Sequence, residues 1–166
     1  FGAPLADLIG SISYGQLQMM FDAAAPPGLR RYWKSGYFPE LPEDLIDAIV
    51  KHAATKTSPY SLILFFHIHG NAARMAPDAM AFGARATQWD FEIIPQWQTA
   101  AEDRQHIEWA RGLWKEVEPF TKGVYVNLLG TDDGATRVRA AYGQNYDRLV
   151  SIKSKYDPGN LFRVNN

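Results

Sequence analysis

Cysteine is absent from the 166 residues of this chain, which excludes a disulfide framework, a thiolate metal site and a cysteine nucleophile within them. Long apolar runs are absent too: the longest, residues 62–66, is far too short to span a bilayer. No block of like charge occurs and the formal net charge is −1, so nothing favours nucleic acid or an anionic membrane as a partner. We therefore expect a soluble globular protein with no nucleic-acid and no membrane partner, whose compartment, cytoplasmic or other, stays open.

Several short catalytic and phosphate-binding motifs are also missing. The chain has no G-x-G-x-x-G, no Walker motif, no G-x-S-x-G and no H-E-x-x-H. His67 and His69 form an H-x-H on a predicted strand, a spacing compatible with a metal ion. A third ligand is not evident, because His52 and His106 fall on predicted helices with no pairing pattern. The sequence therefore predicts no metal site and a pair of structural histidines instead.

The chain does contain clear hydrophobic periodicities. Alternating or continuous apolar runs predict strands at 31–38, 59–70, 89–98 and 123–129, with Gly36 as a bulge or bend in the first. Patterns of period 3.6 predict helices at 16–24, 42–55, 102–117 and 137–156, the last in two pieces around Gly143. This order predicts a single domain over residues 1–166. Its class is α+β, a largely antiparallel sheet layered with helices on one face.

The most specific pattern lies at residues 140–163, AAYGQNYDRLVSIKSKYDPGNLFR. Its middle has helical periodicity, and the Asp-Pro-Gly-Asn turn at 157–160 then stops the helix. The order YG-x-N-Y-x-R-L-x-x-x-K-x-K-Y-D-P-x-N-L-F-R resembles the C-terminal signature of berberine-bridge-enzyme-like flavin oxidases, members of the vanillyl-alcohol-oxidase type of FAD proteins. So many specified positions in one order are not expected by chance.

The resemblance extends over most of the chain. YWKS at 32–35 is similar to the segment that opens this part of bacterial members. The family's middle section is similar to three further segments, WDFEIIPQW at 89–97, EDRQHIEWARGLW at 102–114 and GVYVNLLG at 123–130. The resemblance implies the C-terminal part of a larger flavoprotein, with a substrate domain at about 1–130 and a segment at about 131–166 that returns towards the cofactor. FAD would be bound mainly by the N-terminal FAD-binding domain of the same protein. The start at Phe1, without an initiator Met, reads like the middle of a polypeptide.

The resemblance also implies a reaction. It is the oxidation of an alcohol, a sugar or a similar small-molecule substrate by hydride transfer to flavin N5, with oxygen as the acceptor. We expect the isolated chain to be inactive, because half of the flavin pocket lies elsewhere in the family. The residues alone leave one alternative open, a non-catalytic α+β domain that binds a ligand or a partner chain.

Glu92 is the candidate catalytic residue. It sits in mid-strand on the face shared with Asp90, opposite the aromatic face. From the pattern alone, Glu92 is either an exposed surface residue or a partly buried carboxylate whose raised pKa lets it accept a proton. Phe91-Glu92-Ile93 is similar to an aromatic-Glu-Leu motif of plant members, in which the glutamate lies over the flavin. The resemblance therefore implies that Glu92 accepts a substrate hydroxyl proton.

Tyr125 and Asn127 lie two apart in the predicted strand 123–129, so both side chains are expected on one face. They either hydrogen-bond the edge of a flavin or substrate or form an ordinary cross-strand pair. The family motif here is Tyr-x-Asn-Tyr, and its second tyrosine is the base in many oxidases of sugars and alcohols. Leu128 holds that position and cannot accept a proton, which makes Glu92 the better candidate. Leu128 is expected to line the substrate side rather than the core.

Tyr142 and Asn145 flank Gly143 at a predicted helix start, where glycine permits close backbone approach. Asn145 is either a plain N-cap or a contact to the flavin-binding domain. The candidate cofactor-binding residues are therefore Tyr125, Asn127, Tyr142 and Asn145.

Lys34 and Tyr32 are weaker candidates. A lysine in an aromatic strand usually runs its stem along the apolar surface and places its ammonium group in water. We therefore expect Lys34 to point to solvent.

Overall fold

The computed structural model describes residues 7, 9–20, 22–23, 26–130 and 132–163, so Phe1, and with it the expectation about the start of the chain, lies outside the described residues. The helices of that part are α1 (Tyr14–Met19), α2 (Glu43–Ala54), α3 (Asn71–Arg74), α4 (Asp103–Val117), α5 (Ala135–Tyr142) and α6 (Tyr146–Tyr156). Its strands are β1 (Arg30–Arg31), β2 (Lys34–Phe38), β3 (Leu62–Ile68), β4 (Gln88–Ile94) and β5 (Gln96–Trp97). Short 3₁₀ turns lie at Ala100–Glu102, Glu118–Phe120, Val126–Leu128 and Gly143–Asn145.

Strands β2, β4 and β3 form an antiparallel sheet in that order, with β4 in the centre. In this register Glu92 lies opposite Ser35 of β2 and Leu64 of β3. Pro95 follows β4, has no N–H for the ladder, and leads the chain into the β1–β5 pair. The predicted class is confirmed: α+β, with a largely antiparallel sheet and helices on one face.

The hydrophobic core lies between one face of this sheet and helices α2 and α4. Phe91 and Ile93 of β4 are fully buried, and the buried residues of α4 follow one another at alternating spacings of three and one along one stripe. Full burial of one side chain of this size contributes about 1.5–3 kcal/mol. The cluster comprises Phe38, Leu45, Ile49, Phe91, Ile93, Trp109, Ala110, Leu113, Trp114 and Val117. The opposite face of the sheet carries polar side chains, among them Asp90 and Glu92, together with apolar ones such as Leu64.

The helices begin and end for local reasons. The first turn of α2 contains two acidic residues, Glu43 and Asp44, whose negative charges interact favourably with the positive end of the helix dipole. The helix predicted at 16–24 forms at Tyr14–Met19, because Ser13 and Gln16 make a capping box. Gly143, with φ of +52°, separates α5 from α6, as predicted. Within the described ranges, no helix is long and apolar enough to cross a membrane.

The strand predicted at 123–129 is wrong. Lys122 N donates to Tyr37 O at 2.7 Å, and Tyr37 N donates to Gly123 O at 3.2 Å, so the chain touches the edge of β2 there. Gly123 has φ of +86°, a left-handed conformation that turns the chain away from the sheet. Leu128 N then donates to Tyr125 O at 3.0 Å within a 3₁₀ turn. Local hydrogen bonds therefore replace the sheet ladder.

The bulge predicted at Gly36 is wrong as well. Gly36 pairs in regular register with Phe91. A Cβ at this position would lie 2.8 Å from Thr121 Cγ2 and 3.0 Å from Trp114 Cη2. Glycine is present because another part of the chain packs directly onto the strand.

Candidate active site

The sheet face opposite α2 and α4 carries two carboxyl groups side by side on β4, and we call it the carboxylate face (Ser35, Tyr37, Leu64, Asp90 and Glu92). Side chains alternate along a strand, so the cross-strand neighbours of the two acids share their face. Ser35, Tyr37 and Asp90 are buried, whereas Glu92 is half-buried. The predicted placement of Glu92 beside Asp90, away from the aromatic face, is confirmed.

Burial shifts the titration of these groups. It raises the pKa of Asp90 to about 6 and, together with the negative charge of Asp90, raises the pKa of Glu92 to about 7. Burial, and then the charges of Asp90, Tyr125 and Glu92, raise the pKa of Tyr37 well above its ordinary value, so Tyr37 stays a neutral phenol. Asp90 Oδ1 and Ser35 Oγ are buried without a hydrogen-bond partner among the described residues. A carboxyl group that titrates near neutrality can accept and release a proton at physiological pH.

Tyr125 and Asn127 contact one another although the predicted strand is absent. The Asn127 side-chain amide donates to the Tyr125 hydroxyl at 2.8 Å. Phe82 meets the Tyr125 ring edge-on, with 5.8 Å between ring centroids. The charge of Tyr125 is among the causes that raise the pKa of Tyr37, a residue of the carboxylate face.

Leu128 lies outside the core cluster formed with α4. Half-buried, it lines a cavity of about 200 Å³ together with Trp33 and Gly130. This position agrees with the expectation that Leu128 lies outside the core. That Leu128 lines the substrate side near a flavin stays a prediction.

Tyr142 and Asn145 lie in different environments. Tyr142 lines a second cavity, of about 260 Å³, that Tyr37 also lines. Asn145 is 4% exposed, and its side-chain amide donates to Pro77 O at 2.7 Å and to Met80 O at 3.1 Å. Asn145 is the N-cap residue of α6, as one interpretation of the sequence has it, but its side chain makes no capping hydrogen bond. Asn145 instead holds a neighbouring loop against the start of α6.

The expectation that Lys34 points to solvent is wrong. Lys34 is buried, and its ammonium group donates to Asp132 Oδ1 and Asp133 Oδ1, each at 3.0 Å. Tyr32 and Arg111 donate to Asp132 Oδ2 at 2.7 and 3.0 Å. Burial raises the pKa of Asp132, but these hydrogen bonds outweigh it and hold that pKa well below the ordinary value. We call these residues the Lys34 network (Tyr32, Lys34, Arg111, Asp132 and Asp133), and they join β2, α4 and the loop before α5. The feature of the sequence that could have indicated this network is the pair of adjacent acids, Asp132 and Asp133.

The histidine pair packs rather than converging on a ligand. His67 and His69 stack with 4.7 Å between ring centroids, and His67 stacks on Trp89 at 4.2 Å. In the part of the chain that the structure describes, no group of three or more His, Cys, Asp or Glu residues could hold a metal ion.

Comparisons with known proteins give a consistent set of relatives. A family profile described as "Berberine and berberine like" matches residues 124–166. The chain is 29% identical to an FAD-linked oxidoreductase of Dictyostelium discoideum, over 99% of this chain and 36% of that protein. It is 30% identical to berberine bridge enzyme-like C-1 of Nicotiana tabacum, over 73% of this chain and 27% of that protein. The chain therefore spans about a third of the length of these curated relatives.

A solved structure matches the fold as well. It is that of GilR, an oxidoreductase that catalyses the terminal step of gilvocarcin biosynthesis, in complex with pregilvocarcin. The TM-score is 0.73 and the identity 27%, over 80% of this chain and 31% of that one.

Proposed function

Because this chain belongs to the berberine-bridge-enzyme-like FAD-linked oxidoreductases, we propose that it forms the substrate domain and C-terminal segment of an FAD-dependent oxidase. Residues up to about 130 bind an alcohol, a sugar or a similar small molecule, and residues from about 131 return towards the cofactor. The observation that supports catalysis here is a half-buried carboxylate, Glu92, among unpartnered polar atoms on one sheet face.

The residues of this chain fit one edge of a flavin rather than the whole of FAD. Asp90 Oδ1 and Ser35 Oγ, buried and unpartnered within the described residues, lie on the sheet face where we propose that the ring edge or the substrate binds. The sequence has no glycine-rich phosphate loop, so the proposed partner for the phosphates is the N-terminal FAD-binding domain of the same protein. Bound FAD supplies a hydride acceptor at flavin N5, and oxygen reoxidises it.

Four side chains are the proposed contacts to the cofactor. Tyr125 and Asn127 form a hydrogen-bonded pair beside the carboxylate face, and Asn127 is exposed. Tyr142 lines the cavity next to Tyr37. Asn145 uses its amide N–H groups within the chain, so its Oδ1 is the atom that remains for a ligand.

Glu92 is the proposed base that removes the proton of the substrate hydroxyl as hydride leaves the adjacent carbon. Its half-buried position keeps it accessible to a substrate, and its pKa of about 7 makes it a stronger base than an exposed glutamate. Leu64 and Ser35 flank it across the sheet and offer no competing titratable group. Leu128 occupies the position at which the family motif has a tyrosine base. We therefore assign removal of the substrate hydroxyl proton to Glu92.

In the full-length protein, Glu92→Gln is expected to slow flavin reduction by about 10²–10⁴-fold, because the amide keeps the shape of the side chain but accepts no proton. Substrate affinity is expected to change little. Anaerobic stopped-flow absorbance, over a range of substrate concentrations, measures the two effects separately. Glu108→Gln, on the exposed surface of α4, is the matched control and should leave both unchanged. Flavin reduction at the wild-type rate in Glu92→Gln would contradict the assignment.

The absorbance spectrum of the full-length protein as purified distinguishes this function from a non-catalytic domain that binds a ligand or a partner. Oxidised flavin absorbs visible light, so a colourless protein that FAD does not reconstitute would favour the non-catalytic alternative. We also propose that the chain alone is inactive, because the phosphate-binding part of the cofactor site is not encoded in it.

A further inference from the structure

Asp90 and Glu92 are neighbours on one strand face. They are two residues apart on β4, and the strand rise puts their Cα atoms roughly 7 Å apart. Asp90 lies opposite Tyr37, and Glu92 lies opposite Ser35. On this shared face the side chain of Asp90 is buried, whereas that of Glu92 is half-buried.

The environment of Asp90 is unusual for a carboxylate in this chain. Asp90 is 8% exposed, and its Oδ1 accepts no hydrogen bond from any described residue. Asp103, by contrast, receives two hydrogen bonds from Arg30, and Asp132 and Asp133 share the ammonium group of Lys34. Buried acids are normally paired in this way, because an unpaired buried charge costs free energy. Among the described residues, Asp90 therefore has no hydrogen-bond partner at Oδ1 that would offset the cost of burying its charge.

The groups that face Glu92 leave the charge of Asp90 uncompensated. From β2 come Ser35 and Tyr37, the latter a neutral phenol, and from β3 comes Leu64. Tyr125 approaches from the 3₁₀ turn beside Tyr37.

Arg137 of α5 contacts the edge of the sheet but is paired with another acid. Arg137 donates to Ser35 O at 2.7 Å at the edge of the sheet, and its Nε lies 2.8 Å from Asp133 Oδ1. Repulsion between the two carboxylates is therefore not neutralised by any described residue facing them.

We propose that Asp90 is a positioning residue of the oxidation: its buried negative charge, acting through the repulsion between adjacent carboxylates, makes Glu92 a stronger base. This inference rests on the proposed role of Glu92. After burial, the charge of Asp90 is the second cause that raises the pKa of Glu92. Asp90 itself transfers no proton to or from the substrate, because it lies under the surface that Glu92 presents.

The test is Asp90→Asn in the full-length protein, oxidised and without substrate. Infrared difference spectra over a pH series give the titration of the Glu92 carboxyl group directly, as the carboxyl band that Glu92→Gln removes. Asp90→Asn is expected to lower this pKa by on the order of one unit, because the repulsion is gone. The acid limb of the pH profile of flavin reduction should move down by the same amount, and the limiting rate at high pH should fall because the base is weaker.

Two variants complete the design. Asp90→Glu keeps the charge and should keep the wild-type pKa, which a purely structural role for the side chain would not predict. Asp47→Asn removes one negative charge from the exposed surface of α2 and should leave the titration in place. If Asp90→Asn does not fold, the smaller neutral variant Asp90→Ser gives the same readout.

An unchanged Glu92 titration in folded Asp90→Asn overturns the inference. This outcome differs from failure of the proposed function, in which Glu92→Gln itself leaves flavin reduction at the wild-type rate whatever Asp90 does.

Discussion

At Gly36 the sheet and the segment after α4 come closer than a side chain permits. A Cβ there would meet Thr121 Cγ2 at 2.8 Å and Trp114 Cη2 at 3.0 Å. Both neighbours are packed in or beside the core, so neither can move without disturbing it. Glycine is thus required at position 36 because a larger side chain would not fit, not because the backbone there needs conformational freedom.

Gly36→Ala is therefore expected to lower the free energy of unfolding by about 1–3 kcal/mol through overpacking. Urea unfolding of the full-length protein measures this change. Gly15→Ala, where a Cβ meets nothing within 4 Å, is the control. Adding Thr121→Ser to Gly36→Ala removes the closest methyl group and should restore part of the loss, and the absence of any restoration would contradict the steric explanation.

Residues whose partners are distant in sequence are the ones that sequence reasoning mispredicts. Lys34 was expected in solvent because its neighbours along the strand are aromatic. Its partner Asp132 lies 98 residues further along the chain, and nothing in the local pattern indicates that contact. Glu92 shows the opposite case, because alternation along its own strand is enough to assign its face. Its cross-strand neighbour Ser35 follows only from the observed register.

At the scale of elements, strong periodic patterns were predictive. Strands β3 and β4 and helices α2 and α4 lie where the apolar patterns predict them. The segment 123–129 has an alternation of the same kind, yet it forms a turn. Alternation shows that a segment is able to pair, but pairing also requires an available strand edge, and the chain leaves the edge of β2 at Gly123.

The link between α6 and the loop at residues 77–80 depends on one side chain. Asn145→Ala is expected to lower the free energy of unfolding by about 1–3 kcal/mol, because the two hydrogen bonds from the Asn145 amide to Pro77 O and Met80 O are lost. Hydrogen exchange should show faster local opening of that loop. Gln144→Ala, exposed and adjacent, is the control, and equal exchange in the two variants would argue against the link.

For the whole molecule, Asp90 and Asp132 give opposite contributions to the pH dependence of stability. The folded pKa of Asp90, about 6, lies above its unfolded value of about 3.9. Its contribution to stability is therefore fully present below that lower value and is lost as pH rises through about 6. Asp132 is displaced downwards, so its contribution is present above about pH 3.9 and is lost as pH falls through its folded pKa.

Urea unfolding across a pH series should separate these two cases. Relative to the wild type, Asp90→Asn is expected to gain about 1 kcal/mol between pH 4 and pH 8, once solvent screening is allowed for. Asp132→Asn should show the reverse slope: a deficit at neutral pH that shrinks as the solution becomes strongly acidic. If the free energy of unfolding of both variants varied with pH in parallel with that of the wild type, the assigned burial of Asp90 and pairing of Asp132 would be contradicted.

The outer edge of β3 has a practical consequence for handling this polypeptide. Among the described residues β3 pairs with β4 alone, and its seven residues include no proline and no Asp, Glu, Lys or Arg. An uncovered edge of this kind offers a row of backbone N–H and C=O groups to any second strand that arrives. If this chain were released from a longer protein by proteolysis, it would therefore be prone to aggregate edge to edge through β3. How long it stays in solution would then depend on whether another segment or molecule pairs with that edge.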